Sequence, residues 1–287
     1  MKLPYLYGCF LILSSLAFIS ETYLKTMKQY LPILFSILPI IGLTQNLECV
    51  PDSTKRIRIT DYNNPNSYTC YMEMKRGWGT YYGSGALIHP RVIITAGHNI
   101  AYFPFIKRMP FFVFKGTRKI DLYFGSIDSK NYLASTSIKL KRNHTKFFNS
   151  RYWINSNISR DFAIIILPDS SIYKKVGGCY QFKPLTSTSL IDSQIHITGS
   201  PGDKDLFEMR TDSTKNQVVF DSSLYYDLFT VKRNSGSPVW INTEEGAQLV
   251  GVHSRGFENY DCNVAVFINE EVYKEIVSWC KEVGIEF

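Results

Sequence analysis

Three short stretches of this chain carry residue types that could together perform acyl transfer. Asn234-Ser235-Gly236-Ser237-Pro238-Val239-Trp240 sets a serine between a polar residue and a glycine, with Pro and apolar residues following. This is how a serine looks on a tight turn leading into a strand, and Gly236 keeps the space beside the hydroxyl open. The same Asn-Ser-Gly-Ser run is also ordinary turn chemistry. Ile93-Ile94-Thr95-Ala96-Gly97-His98-Asn99 is a short apolar strand that delivers a histidine at its end. Arg160-Asp161-Phe162-Ala163-Ile164-Ile165-Ile166-Leu167 leads an aspartate into a buried strand. A serine hydroxyl is a poor nucleophile at neutral pH. It needs a base within hydrogen-bond reach, and that base needs an orienting partner. Ser235 as nucleophile, His98 as general base and then acid, and Asp161 as the group that holds the imidazole tautomer meet this need. Three other histidines fit less well. His89 precedes Pro90 in a turn, His144 lies in a polar loop, and His196 lies within a strand.

The elements that must position these residues are short. From Asn66 onward, apolar or alternating runs are broken by Gly, Pro, Asn or Asp: Tyr68–Met74, Tyr81–Ile88, Arg91–Thr95, Phe111–Phe114, Ile120–Phe124, Phe162–Leu167, Gln194–Thr198, Gln217–Phe220, Leu224–Thr230, Gln248–Val252 and Val264–Ile268. They are rich in Val, Ile, Tyr and Phe, which is the habit of an all-β sandwich or barrel. One helix is expected, over Glu270–Val283, with Val272, Ile276, Val277 and Cys280 along one face.

The order His98, Asp161, Ser235 is that of the chymotrypsin-type triad. The chain resembles the chymotrypsin-like serine peptidases, and within them the glutamyl endopeptidases. The resemblance rests on Gly83-Ser84-Gly85, Thr95-Ala96-Gly97-His98, Asp161-Phe162-Ala163, Pro201-Gly202-Asp203-Lys204, Asn234-Ser235-Gly236-Ser237-Pro238, Val250-Gly251-Val252-His253 and Val266-Phe267-Ile268-Asn269. These seven ordered matches run from about Arg56 to the C-terminus. The resemblance implies two six-stranded antiparallel β-barrels with a C-terminal α-helix and a catalytic site between the barrels. One barrel would span residues 57–170 and contribute His98 and Asp161. The other would span 171–287 and contribute Ser235, with the join near Pro168–Gly178. It also implies a serine-type endopeptidase working through an acyl-enzyme on peptide or protein substrates, with no metal or organic cofactor.

Substrate-binding residues come from the same resemblance. His253 falls where the glutamyl enzymes place the pocket histidine that meets a glutamate side chain. Thr230, five before Ser235, falls at their pocket hydroxyl. A histidine and a hydroxyl can hydrogen-bond a carboxylate, and a protonated imidazole adds charge. Ser254 and Gly256 fit the strand that pairs with substrate backbone by edge addition. Phe229 stands where the trypsin branch has an aspartate, which argues against Lys or Arg preference and for cleavage after Glu or Asp, unless Phe229 narrows the pocket.

The chain departs from the family at the oxyanion hole. Glycines are expected just before the Asn-Ser pair, and Lys232-Arg233 stand there. Arg233 and Ser235 would supply the backbone N–H groups. A conformation that suits Gly costs on the order of 1–3 kcal/mol when forced on Arg, and losing an oxyanion donor costs about 10²–10³ in turnover. Arg233 either obstructs the cleft or, with Lys232, attracts acidic substrate. The alternative reading of the whole chain is a non-catalytic homologue that binds peptides or partners through the cleft.

Composition bounds the rest. The 287 residues are 45% hydrophobic, enough for a substantial core. The formal charge is +7 without a dense Lys/Arg run, so no nucleic-acid site is indicated. Apolar runs at Leu3–Ile19 and Leu31–Leu43 are each short for a membrane span. A basic start, an apolar run and small residues before a polar stretch describe a secretory signal, with residues 1–45 as the targeting segment and Met27 a possible true start. Secretion to the cell exterior or a secretory lumen is expected, with no stable membrane partner; a pair of membrane segments is the other reading. Six cysteines without metal spacing then point to disulfides in an oxidising compartment. The sequons Asn143-His144-Thr145 and Asn157-Ile158-Ser159 have meaning under secretion. Residues 46–56 read as a propeptide or linker. Lys55-Arg56 is either a processing site for an activating protease, which frees Ile57, or a basic linker. In the family a new amino group completes the active conformation, and in the glutamyl enzymes it neutralises the bound acid. Their start would fall near Cys49 or Val50 here.

Overall fold

The structure is a computed structural model that describes residues 52–77, 79–102, 115–148, 157–257 and 262–287. The two apolar runs, Cys9, Cys49 and the Phe111–Phe114 stretch lie outside the described residues. The first sheet has seven strands. They are β2 (Thr69–Arg76), β3 (Gly79–His89), β4 (Val92–Thr95), β7 (Lys119–Phe124), β8 (Ala134–Lys139), β9 (Lys146–Phe148) and β10 (Ala163–Ile166). They lie in the order β8-β7-β2-β3-β4-β10-β9, all antiparallel. A separate two-stranded ribbon joins β5 (Ala101–Tyr102) to β6 (Lys115–Gly116).

The second sheet has eight strands: β1 (Ile57–Arg58), β11 (Ile195–Gly199), β12 (Arg210–Thr214), β13 (Gln217–Phe220), β14 (Ser223–Tyr226), β15 (Pro238–Thr243), β16 (Gly246–Phe257) and β17 (Cys262–Phe267). Their order is β1-β12-β11-β15-β16-β17-β14-β13. Among the described residues the sheets thus hold seven and eight strands, where six each were expected. β8 and β12 escape sequence reading because hydroxyl and charged residues dominate them. Only Ala134 and Ile138 of β8 are buried, which suits a strand at a sheet edge. The run expected as a strand over Leu224–Thr230 ends at Tyr226; the remaining residues are irregular and lead to the cleft.

Strand pairing follows from period-two side-chain alternation. Leu87, Ile93 and Ile165 lie in register across β3, β4 and β10 and point into the core of the first sheet. Their neighbours Ala86, Ile94 and Ile164 also pair in register, but face the opposite way. There they meet Trp240, Leu249, Val252 and Val266 of the second sheet. Every residue of β4 and β10 is buried, and all but Thr95 at the end of β4 are apolar, because both faces of these strands are covered. A third cluster, with Ile197, Leu224, Val239, Val250 and Phe267, fills the inside of the second sheet.

The C-terminal helix α3 (Glu270–Lys281) closes the shared core. Among the helices before it, α1 is Gly97–Ile100 and α2 is Ser171–Val176. Asn269 caps α3 by accepting from the Val272 amide at 3.0 Å. Its buried face, Val272, Ile276 and Cys280, packs with Phe162 and Ile164. Trp279 packs against Phe147 and Phe162, with ring centroids 6.1 and 5.5 Å away. Arg160, immediately before Asp161, pairs with Glu271 and Glu275 of the same helix. Among the described residues, no helix is long and apolar enough to cross a membrane.

Three cysteines, Cys70, Cys179 and Cys280, are free thiols. Burial pushes Cys179 up to about 11 and Cys280 to about 12. The disulfides expected from composition are not made at these positions.

The helix seal is open to test. Ile276→Ala deletes a fully buried side chain and should cost about 2–5 kcal/mol. Lys274→Ala, which removes an exposed pair with Glu270 at 3.0 Å, should stay within about 0.5 kcal/mol. Urea unfolding of both variants measures the contrast.

Candidate active site

His98 reaches the cleft because β4 ends in the single helical turn α1. Gly97 lets that turn approach Asp161. A Cβ there would lie 3.1 Å from Asp161 Oδ1 and 3.2 Å from the Phe162 amide nitrogen. The turn is fixed from behind by Arg76, whose Nη2 donates to the carbonyls of His98 and Asn99, both at 2.9 Å. The Thr117 hydroxyl donates to the Asn99 carbonyl at 2.7 Å. Nothing in the spacing of Arg76 and Thr117 announces this role, since both reach the turn from other strands or loops.

Asp161 is fully buried. Its Oδ2 meets His98 Nδ1 at 2.7 Å, and its Oδ1 accepts the His98 backbone amide at 2.9 Å. The Ser254 hydroxyl donates to Oδ2 as well. Burial pulls the Asp161 pKa upward, but the charge of His98 and these hydrogen bonds outweigh it and hold the carboxyl below its ordinary value. Ser254, expected only as a backbone partner for substrate, thus has a side-chain function that sequence reading missed.

Ser235 lies across the cleft on the turn before β15. Gly236 has φ +87°, and a Cβ on it would lie 2.1 Å from the Ser84 carbonyl oxygen and 2.2 Å from Thr95 Oγ1. Only glycine fits. The Ser235 carbonyl accepts from the Ser84 amide and from Asn99 Nδ2, both at 2.9 Å. The turn that carries Ser235 is thus clamped by the residue next to His98. The Ser235 hydroxyl itself donates to the Ser254 carbonyl at 3.3 Å. Ser235 and His98 line the same cleft, of about 710 Å³, with that hydroxyl turned to Ser254 rather than to the imidazole.

Arg233 adopts φ +77°, the left-handed region expected of a glycine. The Asn234 amide donates to the Val231 carbonyl at 3.1 Å, closing a tight turn over Lys232-Arg233. The guanidinium is drawn away into the 201–204 loop, where Nη2 donates to the carbonyls of Pro201 (2.5 Å) and Lys204. Gly202 permits this approach, since a Cβ there would lie 2.6 Å from the Lys232 carbonyl oxygen. Asp203 ties the loop to Arg56 by two hydrogen bonds of 2.9 and 2.6 Å. Those bonds hold its carboxyl at about 2. The Pro201-Gly202-Asp203-Lys204 match therefore serves as a cradle for Arg233.

The same contacts bear on Lys55-Arg56. The Arg56 side chain is 4% exposed, and its carbonyl accepts from Arg210 at 3.0 Å. The next two residues form β1, paired with β12. A protease cutting after Arg56 must first lift this segment from the sheet.

Thr230, His253, Ser254 and Gly256 all line the cleft, with Lys232 and Arg255 exposed at its mouth. Phe229 does not narrow it, because its ring lies under the Arg56 guanidinium at 4.7 Å. His253 is 2% exposed, and its Nδ1 lies 2.7 Å from the hydroxyl of buried Tyr226. Burial, reinforced by the charge of His98, pushes His253 down to about 3. That shift disfavours the protonated imidazole that would add charge to the pocket. Thr230 donates to Asn263 Oδ1, and Asn263 Nδ2 donates to the Leu228 carbonyl. Tyr226 and Asn263 stand behind the pocket, and no motif in the sequence marks them.

No protein-family model matches the chain. It is 34% identical over 116 residues to the glutamyl endopeptidase of Staphylococcus aureus strain MW2, covering 39% of this chain and 34% of that protein. The match to the enzyme of strain COL has the same identity and covers 33% of that protein. The chain thus matches these curated relatives over about a third of their length. Among solved structures, it resembles a Glu endopeptidase in complex with MPD, with TM-score 0.62 and 24% identity over 79% of this chain and 96% of that one. It also resembles the protease Anisep from Arthrobacter nicotinovorans, with TM-score 0.60 and 12% identity over 76% and 98%. A thermostable serine protease, AL20, gives TM-score 0.57 and 10% identity over 73% and 94%. The two antiparallel sheets, the C-terminal helix and these neighbours give the chain the chymotrypsin-like serine protease fold, with a distant similarity to staphylococcal glutamyl endopeptidase.

Proposed function

We propose that the chain is a secreted serine endopeptidase that cuts after Glu or Asp. The observation that carries this reading is the buried Asp161 bonded to His98, in the same cleft as Ser235. Rotation of the Ser235 hydroxyl from the Ser254 carbonyl toward His98 Nε2 starts the reaction. The oxygen attacks the scissile carbonyl as its proton passes to Nε2. Asp161 stays ionised and stabilises the imidazolium. The amides of Arg233 and Ser235 receive the oxyanion. His98 then gives its proton to the leaving amine, and the acyl group remains on Ser235. Water, deprotonated by His98, releases it in the second half-reaction. Substrate backbone pairs along Ser254 to Gly256, and the side chain before the scissile bond enters the pocket that ends at His253 and Thr230. Secretion rests on the N-terminal apolar runs. The partial similarity to glutamyl endopeptidases supports the acidic preference, and the exposed cations at the cleft mouth agree with it.

The non-catalytic reading keeps one observation in its favour, the Ser235 hydroxyl turned to Ser254. The full chain, expressed for secretion, should cut an unbiased peptide mixture at sites mapped by mass spectrometry. Ser235→Ala should abolish every cut, and Asp161→Asn should slow turnover by about 10⁴-fold. An absence of serine-dependent cuts selects the non-catalytic reading.

The oxyanion turn yields a separate expectation. Because the Arg233 guanidinium is held in the 201–204 loop, Arg233→Gly should change kcat/KM by less than about tenfold. A gain of about 10²–10³, the value of one oxyanion donor, would mean that the native residue impairs the hole. Arg233→Ala keeps the strained φ and loses both carbonyl contacts, so its thermal midpoint should fall below that of Arg233→Gly.

A further inference from the structure

Arg233 holds a backbone conformation that its side chain disfavours, and the cleft depends on the result. The hydrogen bond from the Asn234 amide to the Val231 carbonyl closes a four-residue turn in which Arg233 is third, at φ +77°. Positive φ at the third position is the mark of a type II turn, which favours glycine there. A type I turn joins the same ends with negative φ throughout, and the two types differ by a flip of the peptide between the second and third residues. In this turn that peptide carries the Arg233 N–H. A flip would point the amide away from the oxyanion, so whatever keeps Arg233 in the left-handed region also keeps the donor in place.

The hold begins outside the cleft. The Arg233 guanidinium bonds the carbonyls of Pro201 and Lys204. Asp203 of the same loop turns the other way, and its two carboxylate oxygens accept from Arg56 at 2.9 and 2.6 Å. This two-pronged pair fixes direction as well as distance. Lys204 Nζ, a single ammonium 3.8 Å from Asp203, cannot reproduce it. The Arg56 side chain is buried over the Phe229 ring, and its main chain is pinned on the β12 side. The Arg56 carbonyl accepts from Arg210 at 3.0 Å, Ile57 and Arg58 pair with β12, and the Ile59 amide donates to the Met209 carbonyl at 3.0 Å. A rigid strand thus anchors Arg56, Arg56 anchors the 201–204 loop, and the loop anchors Arg233.

We propose that Arg56 is a positioning residue for the oxyanion turn, acting on Arg233 through Asp203 and the 201–204 loop. The inference rests on the reading of Ser235 as nucleophile and of the Arg233 amide as an oxyanion donor. It makes Lys55-Arg56 part of the working site rather than a segment to be discarded, so a cut after Arg56 disables the cleft. It also explains why the link is needed. Glycine takes positive φ unaided, whereas arginine at 233 requires the cradle.

The test is a double-mutant cycle in the full-length chain, on a peptide that the parent cuts. Asp203 is exposed, so Asp203→Ala should fold. It should lower kcat about tenfold, short of the 10²–10³ of a whole oxyanion donor. KM should stay within about twofold, as for an interaction made only in the transition state. Arg56→Ala should behave alike, and Arg56→Lys should recover part of the loss, since it keeps the charge without the fork. In the Arg233→Gly chain, Asp203→Ala should change kcat by less than about twofold, because glycine needs no cradle. Arg58→Ala, which removes an exposed pair with Glu208 from the same strand, should leave kcat within about twofold. Equal losses of kcat in the two backgrounds, or an unchanged kcat in Asp203→Ala and Arg56→Ala, overturn the proposal. Urea unfolding of the same chains reads the link without turnover. Asp203→Ala should lower the midpoint further in the parent than in Arg233→Gly, and equal falls overturn the proposal. Coupled midpoints with no serine-dependent cuts by the parent keep the positioning of the turn and remove the endopeptidase reading.

Discussion

The carbonyl oxygen of Ser235 is the point on which the site depends. It accepts two hydrogen bonds, one from the Ser84 amide of β3 and one from Asn99 of α1. The residue that would attack substrate is therefore placed by its neighbours in the other sheet, one of them adjacent to the residue that would activate it. Further bonds run the same way. The Ser84 hydroxyl donates to the Arg233 carbonyl at 3.2 Å, and Ser254 of β16 donates to Asp161. Each sheet thus completes the other's part of the cleft. The apolar faces of β4, β10, β15 and β16 keep the sheets in register beneath it. Gly236 is what the clamp demands, since any side chain there would collide with the Ser84 carbonyl.

Charge is handled by the same economy of geometry. A carboxylate buried without partners would neutralise itself, because burial disfavours its charged form. Asp161 keeps its charge because three contacts converge on its two oxygens, from the His98 ring, the His98 amide and the Ser254 hydroxyl. Arg76 is buried against carbonyl oxygens of α1, so its charge stiffens the turn that carries His98. Arg233 follows the same rule on the far side of the cleft. Its cationic end lies against two carbonyls of the 201–204 loop, and Arg56 holds that loop through Asp203.

Much of this was legible in the sequence, and the reasons are physical. His98, Asp161 and Ser235 each sit at the end of a short strand or on a glycine-bearing turn, and such places leave local signals. The fold class followed from apolar runs of strand length, and α3 from its apolar face. Among the strands that were missed, β8 and β12 bury few apolar side chains and read as polar loops, and β1, β5, β6 and β9 are too short, at two or three residues, to show an alternation. Arg233 read either as an obstruction or as an attractor of acidic substrate, because sequence shows a residue type but not the direction of its side chain. The environment of His253 is hidden from sequence for a related reason: it is set by Tyr226 and by burial between strands, neither of which has a linear signature. Asn99, Arg76 and Asn263 were missed altogether, because each acts on a residue far from it in the chain.

That last group shows how the polarity of such a cleft is set. A histidine and a threonine are each both donor and acceptor, so naming them as pocket residues leaves the preferred ligand open. The residues behind them remove the ambiguity. Tyr226 has one proton to give and a single partner among the described residues. Asn263 has its NH₂ committed to a backbone carbonyl, so its oxygen faces Thr230. The pocket's polarity is thus fixed by backbone geometry two layers deep, through the Leu228 carbonyl and the burial of β14 against β17.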